Sequence, residues 1–271
     1  MTTPRVELPS SSIVRWSTSA LGKSVYKIFP FAVVIALWQF ATLFFPPYLF
    51  PSLVDVFWRF LTIVTSAAQF ADVLSTVLRI LAGLAGAFVV GAILAVMMAR
   101  SRMAHDFLSP ILTLFQGIPA LSWVVFAIIW FHGTEPRIFF IMVMTTLPAF
   151  AFQVLAALQA MSRDLVEMVM SFRPSRYKLF RAMIIPAVLP DILTAWKVNL
   201  GNASRVVVVA ELVGATGGVG YQLLQQQQVF DMTGALAWTL QLVVFVLIAQ
   251  WLLTLIERFA FRYRAISERS L

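Results

Sequence analysis

The chain has 271 residues, 61% of them hydrophobic and only 12% charged, and its mean hydropathy is +0.89. Soluble domains run about half apolar and about a quarter charged, so a soluble globular domain is excluded and a polytopic membrane protein is indicated. Cysteine is absent, which excludes disulfides and thiol chemistry; the net charge of +8 sits in alternate connections between apolar runs, the pattern of membrane loops and not of a nucleic-acid surface.

Residues 1–27 read as a cytoplasmic segment carrying Arg5, Arg15, Lys23 and Lys27. The first uncharged run is Ile28–Phe45, and about 18 apolar residues suffice for a crossing. It does not read as a signal peptide: a long polar or mixed stretch precedes it, and Phe44-Phe45-Pro46-Pro47 closes it instead of small residues. Pro46, Pro47 and Pro51 then predict an outer loop leading into a short surface helix with Asp55 and Arg59. Further uncharged runs are Ile80–Ala99, Phe107–Phe131, Ile138–Met161 and Met232–Ile256, and a sixth apolar region, from about Ile192 to Val213, is interrupted by Lys197, Arg205 and Glu211. The expected architecture is all-α with six transmembrane helices, the membrane domain spanning residues 28–262 and a cytoplasmic tail 263–271.

Lys and Arg gather before the first run, after the second (Arg100, Arg102), after the fourth (Arg163, Arg173, Arg176, Lys178, Arg181) and after the last (Arg258, Arg262, Arg264, Arg269). The positive-inside rule then puts both termini in the cytoplasm, together with the connection between the fourth and fifth crossings.

Within the third run, Gln116-Gly117-Ile118-Pro119 predicts a kink, because proline removes a backbone hydrogen bond. Gln116 and Trp123 are candidates for the solute path, with Trp130 and Gln153 beside them. The connection after the fourth run is amphipathic. Asp164 and Glu167 have the spacing of a capping box, and Leu165, Met168, Val169 and Phe172 make one apolar stripe. Pro174 ends that helix. A second short helix follows with Tyr177, Phe180 and Ile184 on one side, and Pro186 and Pro190 are expected to end it. Such a charged and greasy connection is a docking surface for a partner, or a helix lying on anionic lipid.

The fifth crossing carries Lys197, Gly201 and Arg205 on one helical stripe. At about 1.5 Å per residue Arg205 lies roughly 20 Å from Pro190. A charge at that depth faces a bundle interior or a watery path, and it would attract an anion; Lys197 is the alternative case of a snorkelling side chain. Glu211 and Gly217, Gly218 and Gly220 form the expected outer gate, where the glycines permit a tight, closely packed turn. Gln222 and Gln225–Gln228 predict a polar outward helix.

ATP hydrolysis requires a phosphate loop such as G-x-x-x-x-G-K-[ST], and none occurs. The only histidines, His105 and His132, fall on opposite sides of the expected membrane, so no metal site is expected. The reading is of a protein that is not an enzyme and holds no cofactor.

The connection 163–186 resembles the coupling loop of binding-protein-dependent ABC importer permeases, whose pattern is Glu-Ala-Ala, three residues, Gly, about nine residues, then Ile-x-Leu-Pro. Here it falls on Glu167-Met168-Val169, Arg173 and Met183-Ile184-Ile185-Pro186. The Glu and the final Pro match; both alanines and the glycine do not. Phe180–Pro190 and the stretch Val209–Ala215 followed by Gly217-Gly218-Val219-Gly220-Tyr221 are similar to the branch importing nitrate, taurine, alkanesulfonates and related small solutes.

The resemblance implies a type I importer permease fold in a bacterial-type inner membrane. It implies a dimer with a second permease chain, identical or a paralogue, and two ABC ATPase subunits that bind ATP and Mg. An extracytoplasmic solute-binding protein would deliver the solute. Glu167, Met168, Val169, Ser171, Arg173, Pro174 and Arg176 would engage the ATPase. The solute is expected to be a small anion such as a sulfonate or nitrate, with a neutral thiamine-precursor pyrimidine, or a secondary transporter or channel, as alternatives.

Overall fold

The computed structural model describes residues 20–260, and among them every regular element is a helix. The expected terminal segments, most of 1–27 and all of 263–271, lie outside these residues, as do Arg262, Arg264 and Arg269. The chain divides into two units, Met1–Leu53 and Val54–Leu271.

The described part of the first unit is α1 (Ala20–Ala41) and the turn after it. The helix stops because Pro46 and Pro47 cannot continue it. The backbone then folds over Pro46, whose carbonyl accepts from Leu49 and Phe50 at 2.9 and 3.1 Å. Trp38 donates its indole N–H to the Pro51 carbonyl at 3.0 Å, and Phe45 and Phe50 pack with ring centroids 5.1 Å apart.

The second unit opens with α2 (Leu53–Thr65), the expected surface helix with Asp55 in its first turn. Next come α3 (Ala67–Arg100), α4 (Arg102–Gly117), α5 (Ala120–Trp130) and α6 (Thr134–Gln159). Helices α3 and α6 pack through small residues. A Cβ at Gly91 would stand 3.1 Å from the Leu147 carbonyl and the Ala151 nitrogen, and a Cβ at Gly83 would run into Met142. Close backbone approach of this kind is how helices adhere in lipid, where apolar area alone gives no preference for protein over acyl chains. The core continues into α9 (Ile185–Gly214). Phe88, Phe150 and Trp196 bring three helices into one aromatic knot with centroids 5.4–5.6 Å apart.

The Gln116–Pro119 signal is expressed as a break. Helices α4 and α5 meet at 95° on either side of Ile118-Pro119. Four helices among the described residues are long and apolar enough to cross a membrane, and the bent pair makes a fifth. Among the described residues α1 contributes the apolar stretch Phe29–Ala41, at the place of the expected first crossing.

Three boundaries differ from expectation. The second crossing begins at Ala67 and not Ile80, because Arg79 is paired and does not interrupt the helix. Helix α7 (Arg163–Ser171) starts one residue before Asp164, which therefore lies in the first turn and not at the cap. Pro186 and Pro190 do not end the next helix. From α8 (Arg176–Leu179) the chain passes through one π-helical turn (Phe180–Ile184) directly into α9. Pro186 sits at the start of α9, where a missing N–H costs little. The wider π turn, closed by Ile185 N–H to the Phe180 carbonyl, absorbs the misfit before it. Helices α10 (Val219–Gln228) and α11 (Met232–Ala260) complete the unit.

Candidate functional site

The stripe Lys197, Gly201, Arg205 on α9 faces α11, and the two helices enclose a groove with two adjoining lobes. Gly201, Arg205 and Gln250 belong to both. One lobe, about 550 Å³, has apolar walls that include Val208, Leu242, Val246 and Leu247; the other, about 500 Å³, is lined by Lys197, Asn202 and Thr254. Lys197 Nζ donates to Glu257 Oε2 of α11 at 2.5 Å. The Arg205 side chain is exposed in the groove and makes no hydrogen bond or ion pair with any described residue. A Cβ at Gly201 would meet open space, so packing within this chain does not demand glycine there.

Trp123 and Gln116, also expected on the path, do not line this groove. Trp123 is 5% exposed and is gripped edge-on by Phe115, Phe126 and Phe140; its indole N–H has no partner. Gln116 is exposed beside the α4–α5 break. Trp130 stacks on Phe126, and Gln153 accepts from Asn199 at 2.7 Å, a link between α6 and α9.

At the α10 end, Glu211 is fully buried, and its carboxylate is saturated. Thr76 donates to it at 2.8 and 3.0 Å, Arg79 at 2.7 Å and the Gly220 N–H at 2.8 Å. Arg79 also reaches the Gly217 carbonyl at 2.8 Å and Glu135 of α6 at 2.6 Å. Asp72 accepts from the Gly218 N–H at 2.9 Å and from Gln222 at 2.6 Å. Close neighbours, Glu211 among them, dictate these glycines. A Cβ on Gly220 would fall 2.6 Å from Glu211 Cβ, and one on Gly218 (φ +111°) 2.5 Å from Glu211 Oε1. All four expected gate residues are thus in one cluster.

Sequence reasoning missed Asp72, Thr76, Arg79, Glu135 and Glu257, and read Gln222 only as part of a polar outward helix. The first three stand at i, i+4 and i+7, a polar stripe along one face of α3 that their spacing alone announces. Among the described residues, no group of three or more His, Asp or Glu side chains is arranged to hold a metal ion.

The connection between α6 and α9 displays apolar side chains. Met168 and Phe172 are 55% and 80% exposed, and Tyr177 and Phe180 are exposed beyond them. The side chains of Arg163, Leu165 and Arg176 lie outside the described ones. Ser171 Oγ donates to the Met168 carbonyl at 2.6 Å, and α7 unwinds through Arg173, whose φ is +48°. Glu167 is exposed and Pro174 half-buried.

Residues 87–262 match the family described as binding-protein-dependent transport system inner membrane component. The chain belongs to that family. This permease is 31% identical to a probable ABC transporter permease protein of Brucella melitensis, over 67% of its own length and 74% of the relative's. It is 25% identical to the taurine transport system permease protein TauC of Escherichia coli, over 78% of this chain and 79% of that one. It is 26% identical to the formylaminopyrimidine transport permease protein ThiX of Halalkalibacterium halodurans, over 76% and 83%. Its helices superpose on a chain of the inward-facing MetNI methionine ABC transporter with a TM-score of 0.63 at 20% identity, covering 71% of this permease and 96% of that chain. The fold is that of a type I ABC importer permease, and the protein is a membrane transport component, not an enzyme. The matched region contains the groove and the α7–α8 connection, whereas Asp72, Thr76 and Arg79 precede it.

Proposed function

We propose that this permease carries a small anionic solute, delivered by an extracytoplasmic binding protein, into the cytoplasm past Arg205. The observation that carries the reading is the Arg205 guanidinium in the α9–α11 groove, which has no partner among the described residues. A charge placed in a membrane helix without a counter-ion is costly, and an anion in transit removes that cost. The taurine relative supports a solute with an anionic sulfonate head. The formylaminopyrimidine relative supports a second reading, a neutral heterocycle bound by Asn202 and Gln250.

The permease works as a dimer with two ATPase chains that bind ATP and Mg. The exposed Met168, Phe172, Tyr177 and Phe180 dock on them from the cytoplasmic side, where both termini also lie. The Glu211 cluster then stands at the outer end. Closure of the ATPase pair drives the helices between inward- and outward-open states.

The test uses the complete transporter in proteoliposomes with its own binding protein. Arg205→Ala is expected to abolish uptake while assembly and binding-protein-stimulated ATP hydrolysis persist. Undiminished uptake, or a complex that no longer assembles, overturns the assignment.

A further inference from the structure

The polar lobe of the groove has two basic side chains in its wall, Lys197 and Arg205, and the fold treats them differently. They stand at i and i+8 on one stripe of α9, about 12 Å apart along the helix. The facing wall on α11 is a stripe as well. Gln250 and Thr254 line the lobe, and Glu257 follows at the spacing that keeps it on the same face. All three are half-buried. Glu257 Oε2 accepts from Lys197 Nζ at 2.5 Å, across the two helices. Arg205 has no partner among the described residues.

The pair ties α9 to α11, and it also sets the charge of the lobe. Without Glu257 the Lys197 ammonium would be a second bare cation facing the same space. At an effective dielectric constant of about 20, a unit charge about 12 Å away changes the binding of an anion about tenfold for each charge the anion carries. A doubly charged anion on a single guanidinium would bring one unpaired negative charge into the membrane, which is costly. We propose that Glu257 is a specificity-determining residue: by cancelling Lys197 it holds the lobe to one positive charge, so that a singly charged anion is favoured over a doubly charged one of the same shape. This rests on the anion reading above and adds to it the residue that sets the charge of the solute.

The experiment measures equilibrium binding of radiolabelled methanesulfonate and radiolabelled sulfate to the complete permease–ATPase complex in nanodiscs, at one fixed ionic strength and without a binding protein. The two ions share a tetrahedral shape and differ by one charge, and the quantity read is the ratio of their dissociation constants. The wild type should prefer methanesulfonate. Glu257→Gln should move the ratio about tenfold toward sulfate, and Lys197→Met, which leaves Glu257 uncancelled, about tenfold the other way. Combining the two substitutions should return the ratio to its wild-type value. If Glu257→Gln does not assemble, the shift in Lys197→Met decides alone. A pair that only braces the helices would leave the ratio constant in every variant. That result, or a wild type that prefers sulfate, overturns the role of Glu257 while the anion reading stands, as long as Arg205→Gln abolishes binding of both ions. Binding that survives Arg205→Gln, or no saturable binding of either ion to the wild type, overturns the anion reading and this proposal with it.

Discussion

Arg173 holds a backbone conformation that costs a residue with a side chain about 1–2 kcal/mol. It occupies the position where the family pattern has glycine, so the departure seen in the sequence lies in the side chain and not in the path of the chain. Arg173→Gly should relieve that strain, offset in part by the freedom glycine gains on unfolding, and leave the thermal midpoint of the assembled transporter unchanged or slightly higher. Arg173→Val, β-branched and ill-suited to positive φ, should lower stability by about 1–2 kcal/mol. Equal midpoints for the two variants would show that the turn is not strained. The same scale explains what the sequence could not reveal about Lys197. Its stripe with Arg205 was legible from four-residue spacing, but its partner Glu257 is separated by 60 residues. Two cations that look alike in the sequence therefore differ in the fold, one neutralised and one without a partner among the described residues.

Helices α3, α6 and α9 and the loop before α10 are held by one guanidinium, Arg79, and two carboxylates, Glu211 and Glu135. The Glu211 and Arg79 side chains are 0% and 10% exposed, and removing Glu211 leaves Arg79 paired only with the exposed Glu135. Glu211→Gln should therefore destabilise by about 1–3 kcal/mol, seen as a lower thermal midpoint in detergent. Arg79→Gln combined with Glu211→Gln should cost less than the two single losses added, the mark of direct coupling. An unchanged midpoint in Glu211→Gln would mean the cluster bears no stability. At this scale the apolar runs made most helices legible. Errors arose where a local rule met a tertiary partner. Arg79 seemed to end a crossing because sequence charge carries no information about a carboxylate 132 residues away. Pro186 and Pro190 seemed to end a helix because a π turn that accommodates proline leaves no compositional trace. The glycines of the α9–α10 loop were legible as a tight turn, but their cause, close neighbours with Glu211 among them, was not.

The whole molecule presents hydrocarbon over much of its surface, with Val243, Leu247, Ile248, Trp251, Leu252 and Ile256 exposed along α11 alone. Such a surface requires lipid and other subunits to cover it. Because Arg173 keeps the glycine-like turn, the α7–α8 connection needs no better-matched paralogue beside it, and two identical permease chains are expected. Native mass spectrometry of the detergent-solubilised transporter should give two copies of this chain with two ATPase chains, and a second, different permease chain would sink that expectation. The fold class was legible at this scale from hydropathy, and membership of the family from the connection before the fifth crossing, while the number of crossings, four or five among the described residues, turns on how α4 and α5 break. One continuous rod, Tyr177–Gly214, with 38 residues and a length on the order of 57 Å at ~1.5 Å per residue, begins at the exposed α8 and ends just past its own Glu211. A tilt of about 5° imposed on its first turn sweeps its far tip through about 5 Å. The permease thus has a built-in lever arm, and the single π turn near its base is the wrist at which the stroke is trimmed.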